Sequence, residues 1–205
     1  VLGTEKHSRE RGGALAEISQ RPTLARLPFS FAGRSVQTDR AWNQPLSERE
    51  LAQARTILTS LELTPQHLAR RRRPATLVDV VYEGFTFTHL FSLLRDWVDE
   101  EREPWNVIRR RLRFVGVTIR EQTSPNTFRW QQAADWTPQL PASSVLNVSL
   151  DERVWFYLGN GQVKLTIATD HWLADAQGPR RTARTKQALA EAVGLARFSR
   201  SRQGT

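Results

Sequence analysis

The chain reads as an α+β protein rich in strands. A central antiparallel sheet or sandwich is predicted over about 76–178, with an N-terminal helix, a C-terminal helix and extended basic arms; an all-β sandwich is the alternative. Three observations predict it. From Thr76 the chain turns to β-branched and aromatic residues at alternating positions. Gly159, Asn160 and Gly161 separate two apolar runs, the pattern of a tight hairpin. Both ends outside this centre are rich in arginine, and helical periodicity there is confined to their inner borders.

Taken in order, residues 1–46 scatter Gly, Pro, Ser and Arg without a sustained period and read as an extended basic arm. Residues 47–75 form a helical segment. Ser47 and Glu50 make a capping box, and Leu51, Ala54, Ile57, Leu58 and Leu61 follow at helical spacing, which predicts a helix over about 48–62. Thr64 and Pro65 restart a short helix as N-cap and first helical residue; it runs into Arg70, Arg71, Arg72 and Arg73 and stops at Pro74. A central domain with its closing helix is expected over 76–198. Leu77 to Tyr82 reads as a strand broken by Gly84. Phe85, Phe87, His89 and Phe91 alternate, yet Leu90, Leu93, Leu94, Trp97 and Val98 keep helical spacing, so a helix over about 87–101 is the reading. Val107 to Arg120 reads as one long strand with a bulge near Phe114 and Val115, where the apolar period slips. Phe128 and Trp130 begin a return strand, Leu146, Val148 and Leu150 alternate, and Val154 to Leu158 pairs with Val163, Leu165 and Ile167 across the Gly159 turn. Ala188, Leu189, Ala192, Val193 and Ala196 mark a helix over about 182–197, and 199–205 is a basic tail.

The 205 residues carry a formal net charge of +9. Of the 30 basic side chains 27 are Arg, whose planar fork bonds phosphate in a bidentate way and stacks on bases. A GC-rich or overlapping gene also raises Arg, and the absence of Met is compatible with such a coding constraint and with a start that has been processed or trimmed. The charge is unevenly placed: residues 1–75 sum to +6, 76–178 to −3 and 179–205 to +6. That is the layout of a packed domain positioning basic arms on phosphate, where each neutralised phosphate releases counterions.

With 0 Cys, disulfide frameworks, thiolate metal sites and cysteine nucleophiles are excluded. The longest apolar stretches fall far below the roughly 20 residues a spanning helix needs, so no membrane partner is expected. There is no Gly-rich phosphate loop, no Gly-x-Ser-x-Gly and no His-Glu-x-x-His. Asp170, His171 and Asp175 are of types that suit a catalytic or metal pair but read as surface and turn residues at a strand end, His7, His67 and His89 have no ligand spacing around them, and no metal, cofactor or catalytic residue is expected. Four adjacent arginines cannot share one helix face, which makes Arg70, Arg71, Arg72 and Arg73 the first phosphate-site candidate; Arg180, Arg181, Arg184, Arg200 and Arg202 extend it, and Trp42 is the candidate for base stacking. Asp99, Glu100 and Glu101 precede Arg109, Arg110 and Arg111 and are expected to pair with them, within one chain or across a subunit contact.

These features point to a non-enzymatic structural component of a nucleoprotein particle that binds RNA or single-stranded DNA and self-assembles. A viral coat or nucleocapsid subunit is the leading expectation, its sandwich forming the shell. A ribosomal or organellar ribosomal protein and a free regulator such as a double-stranded-RNA binder are the alternatives. The location that follows is a virion or an intracellular ribonucleoprotein particle, without disulfide-forming secretion. Gly178, Arg180, Arg181 and Thr185 to Leu189 resemble the end of a double-stranded-RNA-binding domain, but Thr185 stands where that family has a small residue, Arg180 and Arg181 are displaced, and no opening helix lies at the right distance. Membership does not follow from it.

Overall fold

The computed structural model describes residues 2–3, 25–27, 46–82, 84–120, 130–159 and 183–201. Two-residue strands β1 (Leu2–Gly3) and β2 (Ala25–Arg26) come first. Helix α1, Glu48–Ser60, starts on the capping box: Ser47 Oγ accepts from the Glu50 N–H at 3.4 Å, and the Glu50 carboxylate accepts from the Ser47 N–H at 2.7 Å. Helix α2, Pro65–Arg70, starts on Thr64, whose hydroxyl accepts from the His67 N–H at 3.2 Å. Strand β3 (Ala75–Val80) leads into α3 (Phe85–Glu100), a short turn of helix α4 (Trp105–Ile108) and β4 (Leu112–Ile119). Three 3-10 turns, Trp130–Ala133, Thr137–Gln139 and Ala142–Ser144, lead into β5 (Val145–Leu150), α5 (Glu152–Gly159) and α6 (Ala183–Ser199).

The strands lie in the order β2-β1-β3-β4-β5, and every pairing is parallel. The expected antiparallel sheet or sandwich is therefore corrected to a small α/β fold, in which β3, β4 and β5 form the body of a parallel sheet with helices interleaved. The physical reason is connectivity: parallel neighbours need a crossover that carries the chain back to the same edge, and α3 with α4 provides it between β3 and β4. The expected hairpin fails because its first arm is helical. Asp151 begins α5, its carboxylate accepting from the Arg153 N–H at 3.0 Å and its carbonyl from the Trp155 N–H at 2.8 Å. An unbroken apolar run such as Val154 to Leu158 satisfies a strand or a buried helix equally, and the Asp-Glu start decides. The proposed second arm, Val163, Leu165 and Ile167, lies outside the described residues.

The strand expected from Val107 is also shorter. Residues 105–108 are helical, and β4 runs from Leu112 with strict alternation and no bulge: Leu112, Phe114, Gly116 and Thr118 are buried while their neighbours are half-buried. The apparent slip comes from Gly116, a position on the buried face with no side chain to mark it. Trp130 belongs to a 3-10 turn rather than a return strand, and Phe128 lies outside the described residues.

Trp130 fills the space that Gly116 leaves. A Cβ at Gly116 would clash with the Trp130 indole nitrogen and stand 2.7 Å from Val81 Cγ2, and one at Gly84 would stand 2.6 Å from Trp130 Cε3. Gly84 also has φ 79, in the left-handed region that favours glycine, as it turns the chain from β3 into α3. Around the fully buried indole, Phe87 meets both Phe114 and Trp130 at ring-centroid distances of 5.2 Å. Phe91 stacks on Trp136 at 4.5 Å, and Trp136 meets the Phe114 edge at 5.0 Å. Such aromatic pairs contribute about 0.5–1.5 kcal/mol each beyond the area they bury. Phe87, Leu90, Phe91, Leu94, Trp97 and Val98 all come from the buried stripe of α3, confirming helical spacing over the competing alternation.

Replacing Gly116 by Ala is expected to destabilise the protein by about 1–3 kcal/mol through overpacking. Gly194→Ala, in α6 where an added Cβ meets nothing within 4 Å, is expected to increase helix content and stabilise α6 by up to about 1 kcal/mol. Urea unfolding and far-ultraviolet circular dichroism of the two variants check this contrast; equal effects would contradict the packing described.

Candidate functional site

The parallel sheet gives the molecule two unlike edges. At its amino edge, β3 begins at Ala75 and β4 at Leu112, and these two residues are register partners. The connections entering both strands therefore lie side by side. One is the end of α2 with Arg70, Arg71, Arg72 and Arg73; the other is the end of α4 with Arg109, Arg110 and Arg111. The Ala75 N–H donates to the Arg111 carbonyl at 2.7 Å and ties them together. Arg113, one residue into β4, pairs with Thr76 and adds an eighth guanidinium. Two arginine runs that the sequence analysis gave to different roles are thus one surface.

Backbone oxygens fix several of these side chains. Arg111 Nη1 donates to the Arg72 carbonyl at 2.8 Å, Arg71 Nε to the Arg73 carbonyl at 2.9 Å, and Arg109 Nη1 to the Gln139 carbonyl at 3.2 Å. No carboxylate among the described residues forms an ion pair with any of these eight arginines. The expected pairing of Asp99, Glu100 and Glu101 with Arg109, Arg110 and Arg111 is corrected. Glu100 bonds Arg55 of α1 at 2.6 Å, Asp99 bonds Arg95 one helical turn earlier, and Glu101 accepts from Gln66 of α2 and from Trp97 Nε1 at 2.6 Å. Helical spacing and the packing of α1 and α2 beside α3 supply nearer partners than the chain beyond Pro104. Arg55 also lies over the Trp97 ring at 5.2 Å, so this acidic run is built into the helical layer.

At the carboxyl edge, Asp79 of β3, Gly116 of β4 and Asn147 of β5 are register neighbours on one sheet face. Asp79 is only 4% exposed, Thr118 is buried with its hydroxyl 3.4 Å from that of Ser149, and Asn147 Nδ2 donates to Ser149 Oγ at 3.3 Å. Beyond them stand exposed Tyr82, 6.4 Å from the Trp155 ring, and the Gly84 turn into α3. Asp79 was not among the residues singled out from sequence; its one available signal was a carboxylate interrupting an apolar strand just before a glycine and a helix.

No family model, curated protein or solved structure matches the chain. Trp42, Arg180, Arg181 and Arg202 lie outside the described residues, as do Asp170, His171 and Asp175. Arg184 is in the first turn of α6, and exposed Arg200 follows its last residue. Among the described residues no group of three or more His, Asp or Glu is arranged to hold a metal ion, and no helix is long and apolar enough to cross a membrane.

Asp96 is pushed above its ordinary value, first by partial burial and then by repulsion from Asp99 and Glu100, with Arg95 and Arg55 opposing. A carboxylate with a raised folded value binds protons more tightly in the folded state, so stability falls as pH rises from the ordinary aspartate range through the raised one. Asp96→Asn is therefore expected to stabilise the protein modestly at neutral pH and to flatten that acid-side slope, measured as denaturation midpoints across pH. A midpoint that drops at neutral pH would contradict the assigned repulsion.

Proposed function

We propose that the chain binds RNA through its amino edge, as a non-enzymatic component of a nucleoprotein particle. The observation that carries this reading is the convergence of Arg70 to Arg73 with Arg109 to Arg111 on adjacent strand entries, with Arg71, Arg109 and Arg111 bound to carbonyls and none of the seven paired with a carboxylate among the described residues. Guanidinium groups held this way keep donors for phosphate oxygens, and the net charge of +9 adds long-range attraction. The coat-type shell drew on an antiparallel sandwich and on acid–base pairing that the chain replaces with other structure. What supports the proposal is the phosphate-binding part of that reading, which a ribosomal or regulatory protein shares. Self-assembly is a separate proposal, decided by light scattering with and without RNA.

The test compares Arg70, Arg71, Arg72 and Arg73 changed together to Gln with Arg109, Arg110 and Arg111 changed together to Gln. Each variant is expected to weaken RNA binding and flatten its salt dependence, by roughly 0.7 in log–log slope per lost single-strand phosphate contact and roughly 0.9 per duplex contact. Circular dichroism checks that both remain folded. Unchanged slopes in both folded variants would remove the reading.

A second reading is favoured by the parallel sheet itself: open α/β sheets bind small ligands in the crevice outside the carboxyl ends of their strands. Here buried Asp79, the Thr118 and Ser149 hydroxyls and exposed Tyr82 gather at that end, a set suited to a polar, hydroxyl-bearing small molecule. Asp79→Asn is expected to abolish, and Tyr82→Ala to weaken, thermal stabilisation by any nucleoside, sugar or sugar-phosphate ligand that stabilises the parent. A ligand shift that survives in Asp79→Asn would place that ligand elsewhere.

A further inference from the structure

We infer that the nucleic acid held by the amino edge is a duplex, gripped by its sugar–phosphate backbone without readout of its bases. This inference rests on the RNA-binding proposal and narrows it. Binding of unpaired strands draws on aromatic side chains on which successive bases stack, and sequence-specific recognition of RNA targets splayed bases in the same way. The described part of the amino edge has no exposed Phe, Tyr or Trp; the one exposed ring there, the His67 imidazole of α2, is engaged through Nδ1 by the Thr64 hydroxyl at 2.8 Å. Among the described residues, the exposed large apolar side chains lie elsewhere: Tyr82 and Phe85 at the opposite edge, Leu146, Val148 and Val154 on β5 and α5, and Leu189, Val193 and Phe198 on α6. Trp97, Trp130, Trp136 and Trp155 are buried. Trp105, the tryptophan nearest in sequence to Arg109, is half-buried, with the Arg95 guanidinium 4.7 Å over its ring and Phe91 at 5.8 Å.

What the edge does offer is a fixed array of forked cations. Arg71, Arg109 and Arg111 are each tied to a main-chain carbonyl, and the strand entries that carry the two runs stand about 4.8 Å apart, one strand spacing. An array fixed in this way matches phosphates that are themselves fixed in space, as in a double helix. A flexible strand must lose conformational freedom to meet it. A duplex also carries the charges of both strands along one axis, twice the density of either strand held in the same geometry. Its bases stay stacked inside and ask nothing of the protein.

The experiment measures fluorescence anisotropy of the full chain with an RNA duplex, with each of its separated strands, and with a duplex of shuffled sequence, at several salt concentrations. The duplex is expected to bind about tenfold tighter than either strand, with the steeper salt slope of the denser charge, and shuffling is expected to change affinity less than about twofold. The Arg70, Arg71, Arg72 and Arg73 to Gln variant should lose the duplex preference. Tighter binding of a separated strand, a strong effect of shuffling, or a preference that survives the Gln variant would overturn the inference while leaving RNA binding intact. Absence of salt-dependent binding to every probe would instead overturn the RNA-binding proposal, and this inference with it.

Discussion

The fully buried indole of Trp130 is the contact on which the rest of the structure depends. It reaches Gly116 in the middle of β4 and Gly84 at the start of α3, two positions where any side chain would displace it. Against it stand Phe87 and Trp136, and through them Phe91 and Phe114. One side chain from the crossover between β4 and β5 thus fixes how α3 lies on the sheet. Interiors packed at crystal-like density transmit such constraints, because no neighbour can relax without opening a void.

Once α3 is fixed, the two edges of the sheet take their characters from chain direction alone. Each strand enters at the amino edge, where α2 and α4 have just ended in arginines, and leaves at the carboxyl edge, where Asp79 and the Gly84 turn sit. An antiparallel sheet would have sent the neighbouring entries to opposite ends and kept the two arginine runs apart. The acidic run at the end of α3 is absorbed by Arg55, Gln66, Arg95 and Trp97 within the helical layer. Of the arginines at the amino edge, Arg71, Arg109 and Arg111 bond carbonyl oxygens, which hold a guanidinium without neutralising its charge.

Several local features were legible because they are decided within a few residues. The capping box at Ser47, the Thr64-Pro65 start and the helical stripe from Phe87 to Val98 each depend on neighbours three or four positions away. The apolar run at Val154 was not legible by periodicity, since a strand and a buried helix share that pattern. Gly116 misled for a related reason: its partner on the buried face comes from a residue outside β4, so the run of apolar side chains in β4 looked out of phase.

Composition and local spacing settle the arginine bias, the absence of thiol chemistry, the helices α1, α2, α3 and α6, and the alternating segments that became β3, β4 and β5. Tertiary structure alone decided that these strands run parallel, that Trp130 completes the buried face at Gly116, and that Arg70 to Arg73 meet Arg109 to Arg111. The physical reason is range. Caps and helical stripes are settled by hydrogen bonds and contacts a turn apart, whereas strand direction depends on what each crossover can bury. That is a balance between aromatic side chains tens of residues apart, and no local window contains it.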